Sequence, residues 1–566
     1  MTRKSTIHIL ITFIAILIYL PFLGAFHLFD WDEINFAEAA REMLVSKNWS
    51  QVQIGFEPFW EKPPLFIWLQ ASCMQIFGIN EFAARLPSAL SGIVTLNLLY
   101  HFGRSIIGHF AGIFWTLAFA GSLAPSLYFH IGIIDPVFNL FLFLSIHQLF
   151  KSELANLKNE SARIHYLLAG FYAGLAVLTK GPVALLIVFL VGFVRLIANR
   201  KFVWPGFLNL FLFTMASFAI ASLWVVPEIA MRGFTVLQHF IDYQITLFHG
   251  QIDWHNQPWF YHILVLLFLC FPSSIFAMPH LIKNTSFSGT EKLYASYMRA
   301  TFWVVLILFS IVSTKIIHYS SMCWIPLGWF AGYSLYRKHT NRASISSWLF
   351  IPTFFIVVIL GAATTLAPLA FTVPAIAKML AQINDPTAQA ILTQKIPWIG
   401  FEWLLGLVFI VACFWWWIRY KVSKKINFSG LFVITLLFSS LFWILILPKL
   451  ENALQGKYIN QIKEIGASNS TQESWGFKTY AIYFYGNARP EDFKGAWEKN
   501  MRKFNLSPSP KYETRVRYFM NDVLDKPVYI YTRINYKPDD DFRQKFDKKE
   551  KLGAYIIWQR KSNNVP

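Results

Sequence analysis

Long apolar runs recur through the first 448 residues of this chain, and they constrain the fold more than any other feature. Segments such as 7–26, 114–129 and 345–367 approach or exceed the roughly 20 apolar residues that cross a bilayer core. Only 14% of the residues are charged, whereas a soluble domain usually carries about a quarter. The sequence therefore predicts an α-helical polytopic membrane protein and argues against a soluble globular enzyme.

Polar breaks divide these runs into predicted membrane spans. With the N-terminus inside, every second loop is rich in Lys and Arg, as the positive-inside rule requires. The net charge of +19 is thus largely explained by loops on one side of the membrane, and no nucleic-acid partner is expected. Apolar length and the polar breaks predict about thirteen spans, near 7–26, 82–103, 107–127, 132–150, 164–179, 182–197, 205–227, 259–280, 296–313, 317–336, 345–369, 398–418 and 428–448.

An odd number of spans places residues 449–566 outside, where the composition becomes polar and charged. The β-prone runs 480–486, 526–534 and 553–559 alternate with polar stretches such as 488–504, which favour helix. We therefore expect a transmembrane domain (1–448) with loop helices near 28–80 and 233–258, followed by a small extracytoplasmic α/β domain (449–566). The four cysteines lie in apolar segments without CxxC spacing, so neither a disulfide framework nor a zinc-thiolate site is supported.

The loop after the first span carries the acidic residues Asp30, Asp32 and Glu33. From Ile34 to Leu44 the apolar residues recur at near-helical spacing, which predicts an amphipathic helix lying on the membrane with the acids at its N-terminus. Asp at a helix start also serves as a cap, and capping stays open as an alternative role for Asp32.

Titratable residues from other distant segments fall on the same predicted outer side. Ionisable groups near membrane spans are costly and usually functional. Each also has a simpler explanation, namely a surface ion pair, a helix cap, a lysine reaching toward the interface, or an interfacial belt. These residues are Glu61 and Lys62 before Pro63, Asp135 at the start of a span, Lys180 at the end of one, the His- and Asp-rich segment 239–265, and Lys315, His318 and Tyr319.

Such a set suits transfer of a sugar from a phosphate-linked carrier. A leaving phosphate needs a lysine, a histidinium or a divalent cation beside it. The acceptor oxygen needs a carboxylate to take its proton. Asp32 and Glu33, with Lys62, Lys180, Lys315 and His255, supply both parts.

The motifs also resemble a known family in their order along the chain. They are DEINFAEAAREM (32–43), EKPP (61–64), an Asp at the start of a span (135), TKGP (179–182), HNQPWF (255–260) and STKIIHYSSMCWIP (313–326). Over roughly residues 5–335 this order is similar to the ArnT family, the lipid A aminoarabinose transferases. That family groups with protein mannosyltransferase relatives in the GT-C class of membrane glycosyltransferases.

The resemblance implies a GT-C fold and an inverting transfer at the periplasmic face of a bacterial inner membrane. The donor would be a polyprenyl-phosphate (undecaprenyl-phosphate) sugar, and the acceptor a lipid A-like lipid or a glycan. No organic cofactor is expected. The implied roles are catalytic carboxylates at Asp32 and Asp135, donor-phosphate binding by Lys62, Lys180 and Lys315, and a divalent ion (Zn, Mg or Mn) at Glu61 and His255. From the residues themselves we also expect Glu33 to be catalytic and His318 to bind the donor phosphate.

Three positions depart from the family pattern. Asn35 and Phe36 stand where Arg-Tyr is common, and Asn256 replaces a common Arg. These changes leave the sugar and the acceptor open. Two alternatives remain, namely a protein or O-antigen glycosyltransferase of the same class and a transporter of lipid-linked sugars, although transporters usually show internal repeats that this chain lacks.

Overall fold

The protein is predominantly helical, with a small sheet near its C-terminus. The computed structural model describes residues 3–30, 32–198, 205–249, 257–282, 287–342, 346–376, 385–394, 396–423, 429–492, 515–516, 519–520 and 526–561.

Helices α1 to α16 follow one another through the first two thirds of the chain. They are α1 Arg3–Tyr19, α2 Asp32–Ser46, α3 Leu65–Phe77, α4 Glu81–Ile106, α5 His109–Ala120, α6 Leu123–Tyr128, α7 Asp135–Leu157, α8 Arg163–Lys180, α9 Val183–Ala198, α10 Phe207–Arg232, α11 Thr235–His249, α12 Tyr261–Leu269, α13 Ser273–Ile282, α14 Gly289–Ile311, α15 Trp324–His339 and α16 Phe350–Thr372. Short 3-10 helices, Ile317–Cys323 and Ser347–Leu349, precede α15 and α16.

Each predicted span falls on helix in the structure, so the chain is a multi-pass membrane protein. Among the described residues, six helices are long and apolar enough to cross a membrane. The predicted span 259–280 is not a single helix, because α12 and α13 meet at 118°. That pair can form a seventh span as a broken helix. The total of about thirteen spans, which the apolar runs indicate, stays a prediction.

Helix α2 confirms the helix predicted after Asp32, but it does not present a polar face to solvent. Its polar residues Glu38, Arg41 and Glu42 are all buried. Arg41 donates two hydrogen bonds of 2.7 Å to Glu38, and Glu42 accepts the backbone N–H groups of Gly55 and Phe56. Because these charges are paired inside the protein, α2 packs as an internal helix.

A short hairpin, β1 (Gln53–Ile54) and β2 (Glu57–Pro58), separates α2 from α3. Pro63 and Pro64 precede Leu65, the first residue of α3. This is one of the loop helices expected near 28–80, because a proline keeps the residue before it extended and suits the first turn of a helix. Helix α11 likewise confirms the helix predicted in the second loop.

The last membrane helix runs on into the C-terminal region, residues 449–566. Helical structure is continuous from Gly430 to Ala467, and a π-helical turn, Asn452–Gly456, interrupts its α-helical hydrogen bonding. The earlier helices Pro386–Leu392 and Leu404–Ser423 lead into it, and the short helices Ala481–Phe484 and Asp540–Lys545 follow it.

The C-terminal sheet has strand order β3-β4-β6-β5. Its strands are β3 Thr471–Trp475, β4 Val528–Arg533, β5 Phe546–Leu552 and β6 Tyr555–Arg560. β3 and β4 pair in parallel, and the other neighbours pair antiparallel. The runs 526–534 and 553–559 are strands as predicted.

The strand predicted for 480–486 is wrong, because this segment contains the helix Ala481–Phe484. Thr479 Oγ1 accepts the backbone N–H of Ala481 at 3.1 Å at the start of that helix. Residues 481–485 are all buried, and a short run buried on every side reads alike as strand or helix. The predicted helix at 488–504 lies largely outside the described residues.

The C-terminal region and the α2–α3 loop share one hydrophobic core. Ile34, Ala37 and Ile67 from the loop helices pack in the same cluster as Tyr458 and Ile482. Because the two regions bury their apolar surface against each other, they are expected to fold as a unit.

Candidate active site

A cavity of about 270 Å³ lies where the α2–α3 loop, the membrane helices and the C-terminal region meet. Segments far apart in the sequence contribute its charged walls, as the predicted convergence requires. Its lining residues are Asp30, Asp32, Asn35, Phe36, Phe59, Glu61, Lys62, Ile134, Asp135, Lys180, Thr314, Ile316, His318, Tyr319, Lys478 and Thr479.

Asp32 and Asp135 both stand at helix starts, Asp32 on α2 and Asp135 on α7. The partial positive charge of a helix N-terminus stabilises a carboxylate there. Between them lies the His318 ring, whose Nε2 is 3.5 Å from Asp32 and 3.7 Å from Asp135. Asp135 is 3% exposed and Asp32 is 27% exposed, so Asp32 is the more accessible of the two carboxylates.

Lys180 is the last residue of α8, and Gly181, with a φ of +94°, ends the helix there. Glycine adopts this backbone conformation without the steric penalty that other residues meet. The Lys180 ammonium forms an ion pair with Asp135 and lies 4.8 Å from the centre of the Tyr319 ring. The TKGP motif therefore aims this lysine at the cavity and holds it against an acid and an aromatic face.

Lys62 enters the cavity from the two-proline segment before α3. The walls screen it from water, and this burial lowers its pKa below the usual lysine value. Glu61 and Asp32 act in the opposite direction, since a nearby carboxylate favours the charged ammonium. The Lys62 ammonium thus lies beside carboxylates inside the cavity. An anionic ligand that enters the cavity could take the place of a carboxylate as its partner.

The C-terminal region supplies Lys478 and Thr479, which sequence reasoning missed. Lys478 Nζ is 3.7 Å from Glu61 Oε1, with side chains 43% and 28% exposed. Tyr480 and Glu61 raise the Lys478 pKa against the effect of burial. No motif marks Lys478 in the sequence. Its only distinguishing feature is its position between strand β3 and the buried, aromatic-rich run 481–485.

Asp30 also lines the cavity, although the sequence assigned it no role in the site. Its backbone N–H donates to Gln455 Oε1 at 3.1 Å. Its place as the first acid of the cluster DWDE (30–33) is the signal that could have identified it.

Glu33 is not in the cavity, despite its predicted catalytic role. Its Oε1 accepts Arg85 Nε and the Gly132 N–H, both at 2.7 Å. Its Oε2 accepts Arg85 Nη2 at 3.0 Å and the Phe29 N–H at 2.8 Å. Since the side chain is 2% exposed and both oxygens are engaged, Glu33 serves the fold in this structure.

Lys315 is likewise turned away from the cavity. It is 6% exposed and donates to the Val312 carbonyl at 2.8 Å, while Thr314 and Ile316 on either side of it line the cavity. In an extended segment, successive side chains point to opposite faces. Lys315 therefore does not line the cavity in this structure, and its predicted role in phosphate binding stays a prediction.

The predicted metal pair is only half described. His255 lies outside the described residues, and the Glu61 carboxylate faces the Lys478 ammonium. Within the described ranges, no group of three or more His, Cys, Asp or Glu residues could hold a metal ion. The described residues alone thus do not form a metal site.

The cavity combines carboxylates from Asp30, Asp32, Glu61 and Asp135 with amines from Lys62, Lys180 and Lys478. Charges that are paired across a cavity are available to a ligand that can replace one partner. An incoming phosphate would find lysine donors, and an incoming hydroxyl would find a carboxylate acceptor. The arrangement is therefore suited to group transfer from a phosphate.

Comparisons with known proteins agree with this geometry. Residues 61–226 match the family model described as dolichyl-phosphate-mannose-protein mannosyltransferase. Among curated proteins, the chain is 26% identical to an undecaprenyl phosphate-α-4-amino-4-deoxy-L-arabinose arabinosyl transferase from Wigglesworthia glossinidia brevipalpis, over 56% of this chain and 57% of that protein. It is 26% identical to the protein of the same name from Shewanella sediminis, over 60% of this chain and 62% of the relative.

The chain thus spans about 57% to 62% of the length of these relatives. Among solved structures, it matches ArnT from Cupriavidus metallidurans bound to undecaprenyl phosphate, with a TM-score of 0.71, 16% identity and 99% coverage of both chains. These comparisons confirm the resemblance predicted from the sequence motifs, and the chain has the fold of an ArnT-like GT-C membrane protein.

Proposed function

We propose that this protein is a glycosyltransferase that moves a sugar from a polyprenyl-phosphate carrier to a lipid A-like lipid or a glycan. One observation carries the proposal: Asp32, Lys62, Asp135 and Lys180 arrive from three separate stretches of the chain and line one cavity. A structural role would not require acids and lysines to converge in one accessible site.

The chemistry follows from the charges around the cavity. The acceptor oxygen attacks the anomeric carbon from the face opposite the phosphate, and the bond between that carbon and the phosphate oxygen breaks. The carrier phosphate leaves with the electron pair, and Lys62 stabilises its charge. Attack from the opposite face inverts the anomeric configuration.

Asp32 is our candidate for the group that receives the acceptor proton, since it is the more exposed of the two helix-start carboxylates. If the acceptor is itself a phosphate, it is already ionised near neutral pH, and Asp32 then orients it without removing a proton. His318 lies between the two acids, with its Nε2 3.5 Å from Asp32 and 3.7 Å from Asp135.

Asp135 has a different role in this proposal, because Lys180 already pairs with it. We propose that the pair fixes the Lys180 ammonium beside the carrier phosphate. Tyr319 supports the ammonium through its ring face. Lys180 is thereby kept in place even when the cavity is empty.

We place the reaction at the periplasmic face of the inner membrane. The Lys- and Arg-rich loops on the other side support this orientation. The metal ion implied at Glu61 and His255 also stays a proposal, and the zinc content of purified wild type and of Glu61→Gln tests it.

The decisive experiment is turnover of undecaprenyl-phosphate sugars by purified protein with native lipid extract as the source of acceptor. We expect Asp32→Asn to lower turnover by on the order of 100- to 10,000-fold, the usual contribution of a positioned acid or base. The melting temperature should stay close to that of wild type, because Asp32 is partly exposed and Asn also caps helices.

Asp385→Asn is the matched control, since Asp385 caps the helix Pro386–Leu392 and does not line the cavity. Full turnover by Asp32→Asn would remove Asp32 from the mechanism. Binding of the donor by wild type without release of undecaprenyl phosphate, with every acceptor supplied, would instead favour transport of the lipid-linked sugar.

A further inference from the structure

The segment just before α2 is held by side chains. The Leu28 N–H donates to Tyr485 Oη at 2.7 Å, and the Leu28 carbonyl accepts Gln455 Nε2 at 2.7 Å. The Phe29 N–H donates to Glu33, and the Asp30 N–H donates to Gln455 Oε1 at 3.1 Å. Side chains therefore perform here the role that neighbouring backbone performs in a strand or helix.

Gln455 makes two of these contacts with one amide group. Its Nε2 donates and its Oε1 accepts, so the amide spans from the Leu28 carbonyl to the Asp30 N–H. Gln455 is 7% exposed, so water cannot readily replace the contacts. The segment it holds ends two residues before Asp32.

Gln455 lies in the π-helical turn Asn452–Gly456. Such turns insert a residue into an α-helix and are frequent at functional sites. One turn earlier, Glu451 accepts both His27 Nδ1 at 3.1 Å and Gln455 Nε2 at 3.2 Å. The turn thus presents two side chains to the same segment, residues 27–30.

We infer that Gln455 is a positioning residue for the cavity, acting through the backbone of residues 28–30 on Asp30 and Asp32. The inference rests on the proposed function and assigns the helix that follows the last membrane span a part in it. Gln455 touches no substrate in this role. It fixes the backbone from which the reactive carboxylate projects.

A purely structural role would look different in experiment. Loss of either hydrogen bond leaves a buried backbone group without its partner, which costs stability under both explanations. Only positioning predicts a loss of turnover per folded molecule. A displacement of about 1 Å in a catalytic group can cost on the order of 100-fold in rate.

The test compares Gln455→Met with wild type, because methionine has a similar length and removes all three hydrogen bonds of the amide, those to Leu28, Asp30 and Glu451. We expect kcat to fall by on the order of 10- to 100-fold while KM for the undecaprenyl-phosphate sugar changes less than about twofold, because the lysines are untouched. Amide hydrogen exchange at residues 28 and 30 should accelerate in the same variant.

Gln394→Met is the matched control. Gln394 Nε2 donates to the Ala453 carbonyl at 2.9 Å, in the same π-helical turn, without contacting residues 27–30. We expect it to keep kcat and the exchange pattern of residues 28 and 30. If Gln455→Met does not fold, Gln455→Asn keeps a neutral amide that is one methylene too short to reach both Leu28 and Asp30, and it should show the same direction of change.

Accelerated exchange at residues 28 and 30 with an unchanged kcat would overturn the inference, since the segment would then be loosened without consequence. Unchanged exchange would overturn it too. If wild type itself transfers no sugar from any donor, the proposed function fails and the inference fails with it.

Discussion

Two charged regions lie next to each other at the start of α2, and they use their charges in opposite ways. In the cavity, Asp32 is 27% exposed and its neighbour His318 is 3.5 Å away. One residue later, Glu33 is 2% exposed and Arg85 binds both of its oxygens. Adjacent acids in one motif thus divide into one that can meet a ligand and one that holds the fold together.

The comparison shows that the two roles differ not in charge but in how many hydrogen bonds the carboxylate oxygens already accept from the protein. Glu33 accepts four hydrogen bonds from fixed donors, and its partner Arg85 also donates to the carbonyls of Leu23, Phe26 and His27. Such a network stabilises only while every member is satisfied. The carboxylates of the cavity instead face lysines that a substrate can engage.

The largest expected effect comes from breaking the buried pair. Arg85→Met leaves Glu33 as an unpaired buried carboxylate and should lower the free energy of unfolding by about 3–5 kcal/mol. Thermal unfolding in detergent measures this change. Arg533→Met, in an exposed position of β4, is the control and should change little; equal losses in the two variants would contradict the distinction between the regions.

A smaller effect is expected at Lys62, where turnover and not stability should respond. Lys62→Gln should lower kcat/KM by on the order of 100-fold, as loss of one donor to a developing anion usually does. Burial lowers the Lys62 pKa, and the ammonium exists below that pKa. Wild-type kcat/KM should therefore fall as pH rises, with an apparent pKa below that of an ordinary lysine.

The pH profile of Lys62→Arg sharpens this prediction, because a guanidinium stays charged throughout the range. In Lys62→Arg, the fall of kcat/KM at alkaline pH should disappear or move to higher pH. An identical alkaline limb in wild type and Lys62→Arg would assign the titration to another group.

The smallest effect is expected at Lys478, because its ion pair with Glu61 is partly exposed and exposed pairs are weak and screened by salt. Lys478→Gln should lower kcat/KM only a few-fold at low ionic strength, and the difference should shrink at high salt. Lys526→Gln removes a comparable exposed pair, with Asp492, outside the cavity and is the control. A salt-independent loss would mean that Lys478 acts by more than charge.

Much of the fold could be predicted from the sequence because membrane spans depend on length and composition alone. The cavity was also partly predictable: Asp32, Glu61, Lys62, Asp135, Lys180 and His318 all line it. These residues occur at helix ends or beside prolines, where the chain itself fixes which way a side chain leaves the helix. The predicted roles of these residues stay predictions.

The sequence could not give the rest of the cavity lining, because assigning a segment to one side of the membrane does not fix the direction in which each side chain points. Lys315 lies in the predicted segment, yet its neighbours Thr314 and Ile316 face the cavity in its place. Lys478 was missed because its placement depends on how the C-terminal region packs on the α2–α3 loop. No local pattern in the sequence records that packing.

The continuous helix from Gly430 to Ala467 makes the C-terminal region rotate in phase with the last membrane span. Each residue of an α-helix adds about 1.5 Å of rise and about 100° of rotation. A single residue inserted before Asn452 would therefore turn Gln455 away from residues 28–30 and Lys478 away from the cavity, whereas an insertion of a near-integral number of turns would restore their orientation about the helix axis. The length of this helix therefore sets how the C-terminal region faces the cavity, and changes of length that keep this orientation come in steps of about 3.6 residues.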